Sequence, residues 1–277
     1  MTPHTNTPVI SLVFDFDDTL VPDSTSQVIE AIGIDPVAFW AEHRRLMLEG
    51  WDQVPAFLHM MLEASRKRGG AITRDLILKV GRDLEFFRGV PTMFGRYKKL
   101  IELDGTFAAQ FFVVSSGLED LIRATKIAPR LTDVWGSNFA YDESGAITAI
   151  KTVISFTDKT RYLYQISKGL IGPEARTNPF AVNQRTGDFT APLKNMIFVG
   201  DGYTDIPCFT IVQKAKGRAV AVYDPGNRDK VGKAYDFVDD QRVSHLEPAV
   251  YVKGSGADSA ITLAITSIQN RLRHEGG

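Results

Sequence analysis

The chain has 277 residues, 44% hydrophobic and 23% charged, an ordinary globular composition that excludes a disordered, collagenous or coiled-coil chain. Its 32 Lys and Arg nearly balance 33 Asp and Glu, so no charge-driven attraction to nucleic acid is expected. One cysteine, Cys208, excludes an intrachain disulfide or a cysteine-based zinc site and suits a reducing, cytoplasmic setting. Met1 to Pro8 lacks a basic and an apolar leader region, so no signal peptide is expected. No apolar run approaches the roughly 20 residues of a membrane span.

Val9 to Phe14, VISLVF, is short, apolar on both faces and β-branched. That pattern predicts a strand of a parallel sheet covered by helices on each side. Phe107 to Val114, Met196 to Val199 and Ala219 to Tyr223 read the same way, each followed by a helical pattern. After Val114, Ser116 and Glu119 have capping-box spacing ahead of Leu118, Leu121 and Ile122. Strand followed repeatedly by helix predicts an α/β fold with a mostly parallel, Rossmann-like sheet.

Between residues 21 and 89 the pattern is helical throughout. Asp35 caps one predicted helix, with Pro36 at its first position and Gly50 beyond its end. His43 shares its apolar face with Phe39, Leu46 and Met47 and reads as packing. Arg44, Arg45 and Trp51 read as a solvated face, and His59 falls on the next helix. That helix carries Val54, Phe57, Leu58, Met61 and Leu62 and ends at Gly69-Gly70, with Ser65 to Arg68 as its charged end. A third starts near Thr73. The predicted organisation is a core over 1–20 and 90–277, interrupted by a helical module over 21–89.

Asn138 to Tyr141 and Ala146 to Ile150 flank Asp142-Glu143-Ser144-Gly145 and predict a hairpin near 138–150. The polar stretch 173–192 has no period and reads as a long surface loop. Gly254-Ser255-Gly256 reads as a loop entering a last helix capped by Asp258 or Ser259, with Ile261, Ile265, Ile268 and Leu272 packed inward. Cys208, among Ile206, Phe209 and Ile211, reads as a buried small hydrophobe.

Two acidic clusters follow buried strands directly. Asp15-Phe16-Asp17-Asp18-Thr19 follows the first, and Gly200-Asp201-Gly202-Tyr203-Thr204-Asp205 follows another. Each is also compatible with an Asx-rich turn. The second is not a dinucleotide fingerprint, because Asp205 stands where G-x-G-x-x-G needs its third glycine. Ligands of open α/β sheets sit at the carboxyl ends of strands, so both clusters are placed to meet at one site. Crowded carboxylates repel unless a cation or a proton offsets them, and oxygen-only ligands suit Mg²⁺.

With these motifs in order, the chain resembles the haloacid dehalogenase superfamily of phosphohydrolases. VFDFDDTL matches the family's D-x-D-x-T, FFVVSSG its second motif, Lys159 after Phe156-Thr157-Asp158 its third, and IFVGDGYTD its G-D-x-x-x-D. The resemblance implies a small phosphomonoester as substrate and a nucleophile at Asp15 that forms an aspartyl-phosphate. It implies a general acid and base at Asp17, whose presence favours phosphatases over the family's dehalogenases and ATPases. It further implies a bracing Thr19 near the phosphate, phosphate contacts from Ser115, Ser116 and Gly117, and a neutralising lysine at Lys159, with Lys151 as the nearby competitor. Mg²⁺ is implied at Asp15, the Asp17 carbonyl, Asp201 and Asp205, and the 21–89 module occupies the place of a helical cap. The hairpin resembles the phosphoserine phosphatase-like branch. Departures from that branch are Val21-Pro22-Asp23-Ser24, where it has a glutamate for the substrate amine, Ser116 for glycine, and Thr204 for asparagine. A phosphotransferase using the same intermediate and a non-catalytic phosphometabolite-binding protein remain the alternatives.

Overall fold

A computed structural model describes residues 7–226 and 243–275. The first six residues, on which much of the leader reading rests, lie outside them.

Among the described residues seven strands form one sheet: β1 (Val9–Phe14), β2 (Ala108–Leu118), β3 (Asp133–Tyr141), β4 (Ile147–Thr152), β5 (Met196–Gly200), β6 (Arg218–Tyr223) and β7 (His245–Pro248). Their order is β4-β3-β2-β1-β5-β6-β7, parallel except for the β3–β4 hairpin. The chain builds outward from β1 to β4, then returns to β1's other side with β5. The switch point therefore lies between β1 and β5, and both acidic clusters leave the sheet there.

Alternation along the strands feeds two cores. Ile10, Leu12 and Phe14 face one apolar cluster, and Val9 and Val13 face the other. Phe111 and Val113 divide from Phe112 and Val114 in the same way. Both faces are buried, as the continuous apolar runs predict. The second core is closed by α7 (Phe156–Ser167) and α9 (Ile206–Lys214), through Leu163, Ile166, Cys208 and Phe209. The first is closed by α5 (Val90–Ile101) and by the last described helix, α10 (Gly256–Glu275).

Four helices stand between β1 and β2 ahead of α5: α1 (Ser24–Ala31), α2 (Pro36–Leu48), α3 (Gln53–Arg66) and α4 (Arg74–Asp83). Asp35 caps α2 through the Val37 N–H at 3.0 Å, with Pro36 at its first position. Thr73 caps α4 through the Leu76 N–H at 3.2 Å. Val28, Ile29, Phe57, Leu58, Met61 and Ile77 join the same apolar cluster as Ile10 and Leu12.

Three readings need correction. β2 runs on to Leu118, where it pairs with Ser137, so Ser116 lies in the strand and does not cap α6 (Glu119–Arg123). The 173–192 stretch is not one open loop. It begins in α8 (Gly172–Thr177) and a 3₁₀ turn at Pro179–Asn183, held by Arg176 on Asp133 at 2.5 Å and Lys168 on the Val182 and Gln184 carbonyls at 2.6 Å. An ion pair and hydrogen bonds to backbone carbonyls, rather than apolar periodicity, hold it. The final helix starts at Gly256, with the Ser255 hydroxyl 3.5 Å from the Asp258 N–H. Asp258 turns back to the Gly254 N–H at 2.8 Å rather than acting as cap.

Candidate active site

β1 ends in a loop that folds back tightly: the Leu20 N–H reaches the Phe16 carbonyl at 2.7 Å and the Asp18 N–H reaches the Val21 carbonyl at 2.8 Å. Asp18 takes a left-handed φ of 57°, which Asp tolerates better than most residues. The Asp15 N–H donates to the Val199 carbonyl at 2.9 Å, fixing the end of β1 beside β5. This turn swings Phe16, Leu20 and Val21 into the core and leaves Asp15, Asp17 and Asp18 on a cleft of about 710 Å³.

Lys159, in the first turn of α7, is fully buried. Its ammonium donates to Asp15 Oδ2 at 2.8 Å, Asp205 Oδ1 at 2.7 Å and Thr204 Oγ1 at 3.2 Å. Burial alone would lower its pKa, but the Asp15 and Asp205 carboxylates outweigh that and hold it above the ordinary lysine range. Lys151 lies exposed in β4. The lysine beside the candidate nucleophile is therefore Lys159.

Asp205 has no open oxygen: Oδ1 accepts from Lys159, and Oδ2 accepts from the Asp201 and Gly202 N–H groups at 3.1 and 3.2 Å. Burial and the charge of Asp15 push its pKa up, while Lys159 pulls it back. It aligns Lys159 and the 201–202 turn from beneath. Asp201 is half-buried on the cleft and receives the Thr19 hydroxyl at 3.4 Å. Thr19 itself is fully buried, off the cleft lining and behind Asp201.

Burial first, and then the charge of Asp23, push the Asp17 pKa up to about 7, against the opposing hydrogen bond from the Ser24 N–H at 2.6 Å. Ser115, Ser116 and Gly117 line the cleft beside Asp17. The Gly117 N–H donates to Ser115 Oγ at 3.0 Å, while Ser116 Oγ is buried with no protein partner. A side chain at Gly117 would bring a Cβ to 2.5 Å from Asp17 Oδ2, so it would displace the Asp17 carboxylate.

Carboxylate oxygens of Asp15, Asp201 and Asp205 lie within 4.8 Å of one another. Three carboxylates against the single Lys159 ammonium leave a net negative, all-oxygen donor set. That set fits a hard divalent cation such as Mg²⁺, with Asp15 and Asp201 on the cleft and Asp205 buried behind them.

The helical insertion supplies the opposite wall: Pro22, Asp23, Thr25, Trp40, His43 and Arg44, with Gln53 and Phe57. Reading the sequence placed Arg44 on a solvated face. It is exposed, but toward the cleft, whereas Arg45 pairs outward with Glu42 and Glu49. Trp51 stacks on His59 at 4.8 Å, and neither lines the cleft. His43 is buried, with Nε2 2.9 Å from the Gln53 carbonyl. Asp23, in the segment where the phosphoserine phosphatase-like branch has its glutamate, caps α1: Oδ1 accepts the Ser26 N–H at 3.0 Å and Oδ2 the Ser26 hydroxyl at 2.5 Å. Reading the sequence missed Trp40, Thr204 and Asp224 as cleft or site residues. Asp224 follows β6 directly, so the strand-end rule that found Asp15 and Asp201 was able to find it.

No family model matches the chain. A protein of Borreliella burgdorferi described as uncharacterised is 25% identical over 275 residues, spanning 89% of this chain and 93% of that protein. A haloacid dehalogenase family hydrolase from Salmonella enterica subsp. enterica serovar Typhi superposes with a TM-score of 0.57 at 15% identity, covering 93% of this chain and 72% of its own. A phosphoserine phosphatase with an analogue of the phospho-aspartyl intermediate superposes with a TM-score of 0.53 at 13% identity, covering 92% of this chain and 99% of its own. The chain has the α/β fold of the haloacid dehalogenase hydrolases, in the form seen in phosphoserine phosphatase. No helix among the described residues is long and apolar enough to cross a membrane.

Proposed function

We propose that the chain is a Mg²⁺-dependent phosphatase that hydrolyses a small phosphomonoester through an aspartyl-phosphate at Asp15. One observation carries the reading: a buried lysine neutralises Asp15 at 2.8 Å, while Asp17, two residues on, has its pKa pushed up to about 7. One carboxylate is thereby kept as a nucleophile and its neighbour as an acid, from the same loop.

In the first step an Asp15 oxygen bonds to phosphorus as the ester P–O bond breaks. Asp17 gives its proton to the departing alkoxide, so the alcohol leaves neutral. In the second step water attacks phosphorus, Asp17 takes back a proton, and Asp15 departs as a carboxylate with inorganic phosphate. Lys159 offsets charge on Asp15 throughout. The Ser115 and Ser116 hydroxyls and the Gly117 region are placed for the phosphoryl oxygens, and the unpartnered Ser116 Oγ supports that placement. Asp15 and Asp201, with the Asp17 carbonyl, would hold Mg²⁺, which when bound supplies charge neutralisation at the phosphoryl group. Positioning and electrostatics of this kind carry most of phosphoryl-transfer catalysis. The helices α1–α4 act as a cap that covers the cleft and limits the substrate to a small molecule.

The test is inorganic phosphate release from a panel of phosphomonoesters, with Mg²⁺ and with chelator, beside Asp15→Asn. Mg²⁺-dependent release that the variant abolishes is expected. Turnover by the variant within tenfold of the native chain would falsify the assignment. Adding acceptor alcohols separates the phosphotransferase reading, because transfer would leave phosphate on the acceptor.

A further inference from the structure

We propose that the alcohol part of the substrate carries an aromatic ring, seated against Trp40 and Phe57 on the wall formed by the helical insertion; this rests on the phosphatase reading above.

The floor of the cleft accounts for a phosphoryl group, and the question is what the opposite wall was built to hold. The whole cleft is about 710 Å³. Pockets of roughly 300–1,000 Å³ enclose drug-sized ligands, so the space extends well beyond a phosphate with a few carbons. On the wall, Trp40 is held edge-to-face by Phe39, His43 and Phe57, with ring centroids at 5.2, 5.1 and 6.2 Å. Its indole N–H is committed to Ser26 Oγ at 2.7 Å. A rigid aromatic surface is therefore in place before any ligand arrives.

The polar groups on the same wall narrow the choice. The Asp23 carboxylate is committed to capping α1 through the Ser26 N–H and hydroxyl. One ring nitrogen of His43 is engaged by the Gln53 carbonyl. What remains are the side chains of Arg44, Gln53 and Thr25, three separate groups around an aromatic surface. A polyol would need more hydrogen-bonding partners than this. A ring with a few polar substituents matches it. A guanidinium also stacks favourably over a π face, which Arg45, tied to two glutamates, is not placed to do.

The experiment compares alcohols of similar acidity, so that the chemical step is held constant and recognition varies. Native enzyme is given 2-phenylethyl, 2-cyclohexylethyl and butyl phosphate, and kcat/KM is measured for each. The phenyl compound is expected to exceed butyl by about tenfold and cyclohexyl by about threefold, the scale of an aromatic contact added to apolar burial. Trp40→Leu is expected to shrink the phenyl-to-cyclohexyl ratio to near one. Because that variant can misfold, competitive inhibition of the native enzyme by 2-phenylethanol over cyclohexylethanol gives an independent reading of the same preference. Equal kcat/KM for phenyl and butyl, or cyclohexyl at or above phenyl, overturns the aromatic proposal. In either case Asp15-dependent release still stands, and the phosphatase reading with it. No release from any phosphomonoester, in a folded protein, overturns both.

Discussion

The buried hydroxyl of Tyr251 donates to the backbone carbonyl of Thr19 across 2.8 Å, joining positions 232 residues apart. The Tyr251 backbone is held as firmly: its N–H donates to the Arg88 carbonyl at 2.7 Å, and its carbonyl accepts from Arg96 at 2.5 Å. Gly89, with a left-handed φ of 91°, packs so closely on the Tyr251 carbonyl that any side chain there would collide. One tyrosine thus ties the loop after β1 to the segment where the helical insertion returns to the sheet.

Tyr251→Phe removes one donor and leaves the Thr19 carbonyl buried and unpaired. That costs about 1–3 kcal/mol, or roughly 2–4 °C in melting temperature per kcal/mol. The loosened loop is expected to lower kcat several-fold while KM holds. Unchanged melting and unchanged kcat together would contradict a positioning role.

Lys159→Met leaves Asp15 and Asp205 facing a buried space with no cation. Breaking a buried pair of this kind costs about 3–5 kcal/mol. Pairing it with Asp205→Asn removes part of that repulsion, so the double variant is expected to regain stability in urea without regaining activity. A double variant as unstable as the two single losses added together would show that the groups are not coupled.

Asp17 carries a pH signature. Its folded-state pKa of about 7 lies above the ordinary value of 3.8, so between those limits the folded chain keeps a proton that the unfolded chain has lost. Stability contributed by this group therefore falls as pH rises through that window and levels off above it. Asp17→Asn is expected to raise the melting temperature of the metal-free protein at pH 8 and to leave it little changed at pH 4. The same variant is expected to slow alcohol release in the first turnover by about 10²–10⁴-fold for an alkyl phosphate, and less for an activated aryl phosphate. Equal losses on both would argue that Asp17 is not the acid.

Removing metal ligands separates Asp201 from Asp205. Mg²⁺ is expected to stabilise the fold as RT ln(1 + [Mg²⁺]/Kd), by about 2.7 kcal/mol at a hundredfold excess over Kd, and so to raise the melting temperature. Asp201→Asn is expected to abolish that rise. Asp205→Asn is expected to keep much of it, because Asp205 is fully buried and lies off the cleft lining. The idea fails if Asp205→Asn loses Mg²⁺ stabilisation as completely as Asp201→Asn.

How much of this was legible in the sequence depends on distance along the chain. β1 and its acidic turn read correctly because an apolar run buried on both faces passes directly into carboxylates. The hairpin read correctly because Asp142 to Gly145 carries its own turn chemistry. The end of β2 did not, because Leu118 pairs with Ser137 across the sheet, and that tertiary pairing overrides a local capping pattern. Arg44 and Arg45 are adjacent and identical, and only the placement of α2 over the cleft separates a cleft residue from a surface ion pair. Tyr251 gave no signal at all: its role is a contact with a carbonyl 232 positions away, in a segment with no period.

The continuous apolar cluster under the insertion has a consequence for how the molecule comes apart. Phe16, Leu20 and Val21 of the nucleophile loop lie in that cluster together with Val28 and Phe57 of the insertion and Ile10 of the sheet. Heat is expected to melt cap and sheet in one cooperative transition rather than two. A shortened chain that joined β1 to α5 directly would not be a more permissive phosphatase with an open cleft. It would strip the loop of the apolar wedge on which it rests, and lose the nucleophile's position along with the roof.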